Sequence, residues 1–268
     1  MIGLVTDTLS CLSEQDCIEN DVYMVQAGCC INGTRFSDAA LADTVSFPED
    51  SRSLAPTATD FFKAFGALFE RVNEIICITY SKKMGQSYNN ATVASLGYKN
   101  RRITVFDCGS AVGAVLILVK MCRDLEKSGA GYADIVKILS AQADRINAYF
   151  TLSSLDVIKR AVKIKIPQGG SYATILNRRP FCMINGNGEI ELLKLSDGKV
   201  GAIADLISKV KSPRKMVCCY SDEEPMVYEL KKSLQEKFPD VPLDMRKVSA
   251  SVKVNLGGSA LGLFTLEE

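Results

Sequence analysis

The sequence predicts an α/β fold: an N-terminal mostly parallel sheet flanked by helices, followed by a C-terminal α+β domain with a largely antiparallel sheet. Short apolar strand patterns alternate with helical patterns through the first half of the chain, as in parallel sheets covered on both faces. In the second half, strand patterns follow one another more closely and include a hairpin signal. We therefore expect one domain at residues 1–148 and a second at residues 149–268.

The N-terminal elements follow from local signals. Ser13 predicts a helix N-cap, because Glu14 and Asp16 in the first turn favour the helix dipole. Asn32-Gly33 predicts a tight turn. Phenylalanine and leucine residues at helical spacing predict a core-facing helix over about 57–71. The other patterns predict strands at 2–6, 22–25, 74–78 and 103–106, helices at about 87–99, 111–128 and 132–146, and a polar loop at 37–52.

The C-terminal elements include a hairpin, in which Gly186-Asn187-Gly188 separates two apolar segments. Pro225 predicts the first turn of a helix that continues to about residue 238. The remaining patterns predict a short helix at 155–160, a helix at about 200–211, and strands at 149–152, 216–220, 243–247, 252–256 and 263–266.

Polar residues gather where the N-terminal strands end. In parallel sheets, ligands bind beyond the C-terminal ends of the strands, which is where Asp7, Thr8, Tyr80, Ser81 and Asp107 fall. Asp7 and Asp107 are typical of residues that anchor loops through Asx-type hydrogen bonds. The alternative is that one of them acts as a base or binds a cation.

Composition narrows the function classes. The chain has 268 residues, 47% of them hydrophobic, and a net charge of +1, so it has no basic surplus that would attract nucleic acid. Its longest apolar stretch, residues 111–119, is too short to cross a bilayer. Residues 1–10 contain no basic stretch typical of a signal peptide. We expect a cytoplasmic protein.

Cysteine and histidine usage points to binding rather than catalysis. The ten cysteines include no Cys-x-x-Cys pair, and several lie inside apolar strand patterns, so we expect buried free thiols rather than a metal site. The absence of histidine removes Ser-His and Cys-His catalysis and imidazole metal sites. We expect no enzyme activity, no metal and no cofactor.

Four segments combine apolar strands with glycines and small hydroxyl residues, at 2–10, 53–61, 78–95 and 254–264. Small residues allow close approach of a ligand, and hydroxyls supply hydrogen bonds without fixed charge. With a strand ending in Asp107 and a hairpin motif at Leu176, Asn177 and Pro180, these segments are similar in order and spacing to the DegV family of bacterial fatty-acid-binding proteins. That family includes the binding subunit of the bacterial fatty acid kinase.

The resemblance implies a protein that encloses one long-chain fatty acid and presents its carboxylate to a partner kinase for acyl phosphate formation. It implies no nucleic-acid partner and no integral membrane segment, and it leaves room for transient membrane contact. The implied lipid-binding residues are Ser53, Gly85, Gln86, Ser87 and Asn255.

Two of the departures from the family pattern concern the implied head-group site. Gly85 stands where the family has a carboxylate-binding serine, and Asn255 where it has histidine, so Gln86 or Ser87 is the candidate replacement for the missing hydroxyl. These differences leave a second interpretation, in which the chain is a divergent member of the family that binds another apolar ligand or a lipid with a neutral head group. An enzyme that uses Asp7 or Asp107 with a metal is the third reading.

Overall fold

The computed structural model describes residues 1–154, 164–165 and 178–268. Its strands belong to three sheets within these residues. In chain order they are β1 (Gly3–Asp7), β2 (Val22–Val25), β3 (Gly28–Ile31), β4 (Thr34–Ser37), β5 (Arg52–Leu54), β6 (Glu74–Thr79), β7 (Arg102–Asp107), β8 (Ile146–Thr151), β9 (Ile164–Lys165), β10 (Arg178–Ile184), β11 (Ile190–Asp197), β12 (Pro213–Tyr220), β13 (Leu243–Lys247) and β14 (Leu261–Glu267).

The helices begin where the local signals predict. Ser13 and Thr57 cap the first two helices, and each forms a reciprocal capping box, with Asp16 and Asp60 respectively. The described α-helices are α1 (Glu14–Glu19), α2 (Ala58–Phe69), α3 (Ser87–Ser95), α4 (Val112–Lys127), α5 (Tyr132–Ala143), α6 (Gly198–Ser208), α7 (Pro225–Lys237) and α8 (Ala250–Leu256).

The first sheet is parallel throughout, with strand order β2-β1-β6-β7. All four strands therefore end at the same edge of the sheet. Asp7, Thr79 and Asp107 are the last residues of three neighbouring strands, so all three lie at that edge. This arrangement confirms the prediction of a parallel N-terminal sheet whose polar strand ends lie together.

The second sheet has seven strands in the order β13-β12-β14-β8-β10-β11-β9. The β12–β13 and β11–β9 pairs are parallel and the other four are antiparallel, which confirms a largely antiparallel sheet. The division of the chain after residue 148 stays a prediction. Strand β8, which belongs to this second sheet, begins at Ile146.

A small third sheet was not predicted. Strands β4, β3 and β5 form an antiparallel unit in that order, and the turn between β3 and β4 is the predicted Asn32-Gly33 turn, with both residues at positive φ. Strand β5 lies at the end of the predicted 37–52 loop and carries Ser53.

The predicted strand at 252–256 is wrong, because this segment lies within helix α8. Its alternation of valine and polar residues favours a strand, yet a distant carboxylate decides the outcome. Asp38 accepts hydrogen bonds from the backbone N–H of Ser251 at 2.7 Å and from its hydroxyl at 2.7 Å. A carboxylate at the first turn pairs an otherwise unsatisfied N–H and favours the helix dipole.

Helix α4 forms the centre of the molecule. Residues 112–119 are buried on every side of the helix, as expected for a helix that is apolar all round. The helix packs against β6 of the first sheet and against β12 and β14 of the second. Ile76, Ile78, Val217 and Phe264 belong to the same hydrophobic cluster, so both main sheets share one core.

The ten cysteines, all within the described residues, are free thiols, and eight of them are buried. Burial raises the pKa of Cys108 and Cys182 to about 12, which keeps both thiols protonated. The prediction of buried free cysteines is confirmed. None of the helices in the described part of the chain is both long and apolar enough to cross a membrane.

Two sequence predictions lie outside the described residues. They are the short helix at 155–160 and the part of the hairpin motif at Leu176 and Asn177. Pro180 of that motif lies in β10.

The packing of α4 against β14 predicts the effect of Gly113→Ala. A Cβ atom at residue 113 would lie 2.4 Å from Cδ2 of the buried Phe264 ring, so the helix or the strand must shift. We expect a loss of about 1–3 kcal/mol in the free energy of unfolding, measured by urea denaturation.

Gly186→Ala is the matched control, because a Cβ atom there meets nothing within 4 Å. We expect its free energy of unfolding to stay within about 0.5 kcal/mol of the original protein. Equal stabilities for the two variants would contradict the described packing of α4 on Phe264.

Candidate functional site

A cavity of about 870 Å³ lies between the C-terminal edge of the parallel sheet and the second sheet. Its size falls within the range of small-molecule sites, which is roughly 300–1,000 Å³. Four of the five residues predicted to bind lipid line it. They are Ser53, Gly85, Gln86 and Asn255.

The wall of the cavity is predominantly apolar and comes from distant parts of the chain. Val112 belongs to α4, and several other apolar side chains belong to strands of the second sheet. They include Phe150, Ile184, Ile190, Leu261 and Phe264. Such a wall favours an apolar guest, because every methylene placed against it leaves water.

The predicted polar residues are brought together by packing and one hydrogen bond. Helix α8, which carries Asn255, packs against β5, which carries Ser53. Asn90 on α3 donates a 2.7 Å hydrogen bond from Nδ2 to the carbonyl of Pro56, joining α3 to the segment after β5. Ser53, Gln86 and Asn255, which all line the cavity, form its polar edge.

Several donors on this edge are available to a ligand. Ser53 and Asn255 are half-buried, and neither has a side-chain hydrogen-bond partner among the described residues. The amide oxygen of Gln86 accepts from Asn89 at 3.3 Å, which leaves its amide nitrogen to donate. Thr57, rather than Ser53, caps α2, so the Ser53 hydroxyl is not used as a helix cap.

Ser87 lies differently. It is fully buried, is not among the residues that line the cavity, and donates a short hydrogen bond from Oγ to Oδ2 of Asp7. Its hydroxyl therefore supports Asp7, and direct contact of Ser87 with a lipid stays a prediction.

Asp7 and Asp107 anchor loops, as the sequence predicts. Oδ1 of Asp7 accepts from the N–H of Leu9 at 3.0 Å, and Oδ1 of Asp107 accepts from the N–H of Gly109 at 2.9 Å. Burial raises the pKa of Asp7 to about 6, the nearby charge of Asp38 adds to this, and the bonds from Ser87 and Leu9 oppose it. Within the described residues, no group of three or more His, Cys, Asp and Glu side chains could hold a metal ion.

Gly85 lies against the ring of Tyr80. A Cβ atom built on Gly85 would lie 1.9 Å from Oη of Tyr80 and 2.7 Å from Cζ. The phenol thus fills the space that a side chain at residue 85 would need. The sequence predicts Tyr80 at this sheet edge but gives it no contact with the ligand, since nothing local shows that its ring reaches back to residue 85.

Charged residues at the cavity were also missed. Lys253 on α8 is 5% exposed and pairs with Asp222 at 2.5 Å, and Arg52 on β5 lines the cavity as well. The sequence predicts a strand at 252–256 and gives Lys253 no role. Because the segment is helical, the ammonium lies beside the cavity.

Arg179 fixes the glycine-rich segment at 257–262. It is buried, and its guanidinium donates to Oγ of Ser259 at 3.2 Å, to the Ser259 carbonyl, and to Oγ1 of Thr151 at 3.4 Å. Gly257 ends α8 with a φ of 75°, a conformation that favours glycine. The lining residues Ala260 and Leu261 follow directly and are therefore held in place.

The comparisons with known proteins agree over the whole chain. The family model described as "Uncharacterised protein, DegV family" matches residues 1–268. A DegV domain-containing protein of Staphylococcus aureus is 22% identical over 277 residues, covering 99% of this chain and 98% of its own length. Another, from Streptococcus pneumoniae, is 24% identical over 225 residues, covering 80% and 78% of the two chains.

Solved structures share the fold. A DegV family protein from Thermus thermophilus, described as fatty-acid binding, superposes with a TM-score of 0.85 at 18% identity, covering 100% of this chain and 99% of its own. DegV from Bacillus subtilis, described as a fatty acid binding protein, gives 0.85 at 17% identity with the same coverage.

Burial of Asp7 predicts a pH dependence of stability. The folded protein holds this proton with a pKa of about 6, above the unfolded value near 3.9, so protonation favours the folded state. The stabilisation that the Asp7 proton gives to the folded state is fully present below about pH 4 and is lost as the pH rises through about 6. We expect the free energy of unfolding of Asp7→Asn, relative to that of the original protein, to increase by on the order of 2–3 kcal/mol from pH 4 to pH 7.

Urea denaturation of both proteins at several pH values measures this difference, in which the titration of all other groups cancels. A stability difference that stays constant from pH 4 to pH 7 would show that Asp7 ionises in the folded protein as it does in the unfolded chain.

Proposed function

The chain belongs to the DegV family, and we propose that it is a fatty-acid-binding protein that encloses one long-chain fatty acid in the cavity between its two main sheets. The observation that carries the proposal is a cavity of about 870 Å³ with an apolar wall and, on one edge, donors that have no side-chain partner among the described residues. The fatty-acid binding described for the Thermus thermophilus and Bacillus subtilis proteins of the same fold supports it.

The tail of the ligand supplies most of the driving force. Burying about fifteen methylenes at ~0.8 kcal/mol each gives roughly 12 kcal/mol of gross stabilisation. Ordering the chain and losing its free motion offset a large part of this. The polar edge therefore determines which end of the ligand lies where, more than it determines affinity.

The carboxylate lies beside Ser53, Gln86 and Asn255 in this proposal. A hydroxyl and two side-chain amides donate hydrogen bonds to a carboxylate without adding a buried charge. Lys253 on the same cavity is already paired with Asp222, so its positive charge is largely balanced before any ligand binds. Ser87 contributes indirectly by holding Asp7.

We further propose that the bound carboxylate is presented to a separate kinase, as the family resemblance implies, and that this protein does not itself catalyse acyl phosphate formation. The segment from Val45 to Arg52 borders the cavity, and Val45 is 75% exposed, so a partner could approach the ligand on that side. Mixing the loaded protein with a bacterial fatty acid kinase and ATP, and trapping acyl phosphate with hydroxylamine, tests this step. Acyl hydroxamate formed without the kinase would contradict the non-enzymatic role.

Mass spectrometry of an organic extract of the purified protein tests the proposed ligand. We expect one C14–C18 fatty acid per chain. A neutral lipid in the same amount would support the divergent reading, and an extract without any lipid, from protein that also fails to bind added fatty acid, would overturn the proposal.

Ser53→Ala tests the polar edge. Losing one hydrogen bond to the carboxylate should weaken fatty-acid binding by about 0.5–1.5 kcal/mol, measured by isothermal titration calorimetry. The control is Ser140→Ala, which removes an exposed hydroxyl on α5 that bonds only its own helix. Equal affinity in the two variants would exclude Ser53 from the head-group contact.

A further inference from the structure

The ring of Tyr80 and a side chain at residue 85 compete for one space. A Cβ atom on Gly85 would lie 1.9, 2.7 and 2.9 Å from Oη, Cζ and Cε2 of Tyr80, far inside contact distance. Both residues line the cavity. The absence of a side chain at 85 is therefore what allows the phenol oxygen to reach the polar edge.

The proton of Oη faces a neutral acceptor, the Ser87 hydroxyl, which donates its own proton to Asp7 and can therefore only accept from Tyr80. A carboxylate head group is a stronger acceptor than this hydroxyl and competes with it for the bond from Oη. The backbone N–H groups of Gln86 and Ser87 and the Ser87 hydroxyl face the phenol oxygen, and N–H groups can only donate to it. The two oxygens of the nearby Asp7 already accept from Leu9 N–H and Ser87 Oγ. Burial raises the pKa of Tyr80 to about 12, so the phenol keeps its proton at neutral pH.

We infer that Oη of Tyr80 donates a hydrogen bond to the head group of the bound ligand, in the position that a side chain at residue 85 would otherwise occupy. This inference rests on the proposed function and deepens it, because it names Tyr80 as a residue that selects an acceptor head group. A carboxylate accepts this bond more strongly than a neutral ester or alcohol does, since hydrogen bonds to charged groups are the stronger ones.

Tyr80→Phe removes only the hydroxyl and is the first test. We expect the Kd for oleate, measured by calorimetry at neutral pH, to rise about tenfold, while the Kd for oleyl alcohol changes less than threefold. Tyr88→Phe is the matched control, because Tyr88 lies close in the chain, on helix α3, but is not among the residues that line the cavity.

A rescue experiment separates donation from packing. Gly85→Ser alone should lower the thermal midpoint and weaken oleate binding, because its side chain collides with Tyr80. Tyr80→Leu alone should weaken oleate binding while keeping an apolar side chain against the shared core, to which Tyr80 packs. The double variant Tyr80→Leu, Gly85→Ser should bind oleate within about threefold of the original protein, because a serine hydroxyl then takes the vacated space.

The outcomes distinguish the two proposals. If the original protein fails to bind oleate, the proposed function and this inference are both overturned. If it binds oleate but Tyr80→Phe binds as tightly as Tyr88→Phe, or loses oleate and oleyl alcohol equally, only the role of Tyr80 is overturned.

Discussion

Burial of residues 112–119 of helix α4 on every side is the constraint on which the rest of the structure depends. The helix lies between the parallel sheet and the mainly antiparallel one, and both pack their apolar residues against it. The first turn of the helix, at Val112, reaches the cavity. On the N-terminal side of that turn, the two sheets no longer share a filled core, and the space between them is open. The cavity is thus placed by the point at which α4 begins.

The polar groups around the cavity fall into two sets with different uses. Asp7 accepts a hydrogen bond from Ser87, Asp38 accepts two from Ser251, and these bonds hold loops and helices in place. The side chains of Ser53 and Asn255, by contrast, have no such partners in the described part of the chain. A buried donor that is already paired gains little from a ligand, whereas an unpaired one gains a full hydrogen bond. This division, rather than residue type, separates supporting groups from the groups that we propose to bind the ligand.

Most of the fold follows from local signals, because strand and helix patterns, capping boxes at Ser13 and Thr57 and the Asn32-Gly33 turn act within a few residues. The motifs also placed Ser53, Gly85, Gln86 and Asn255, and all four line one cavity. Helix α8 and the role of Tyr80 could not be predicted in this way. The first depends on Asp38, 213 residues away from Ser251, and the second on the direction in which a ring points within its loop.

The shared space at residues 80 and 85 also constrains how this site can evolve. A protein with a large ring at 80 has no room for a side chain at 85, and one with a side chain at 85 has no room for the ring. A change from one arrangement to the other by single substitutions passes through an intermediate. That intermediate either holds both side chains in one space or lacks both the hydroxyl of a tyrosine at 80 and the hydroxyl of a serine at 85. Lineages that differ at these positions are therefore expected to have exchanged both residues together, so that each pair is inherited as a unit.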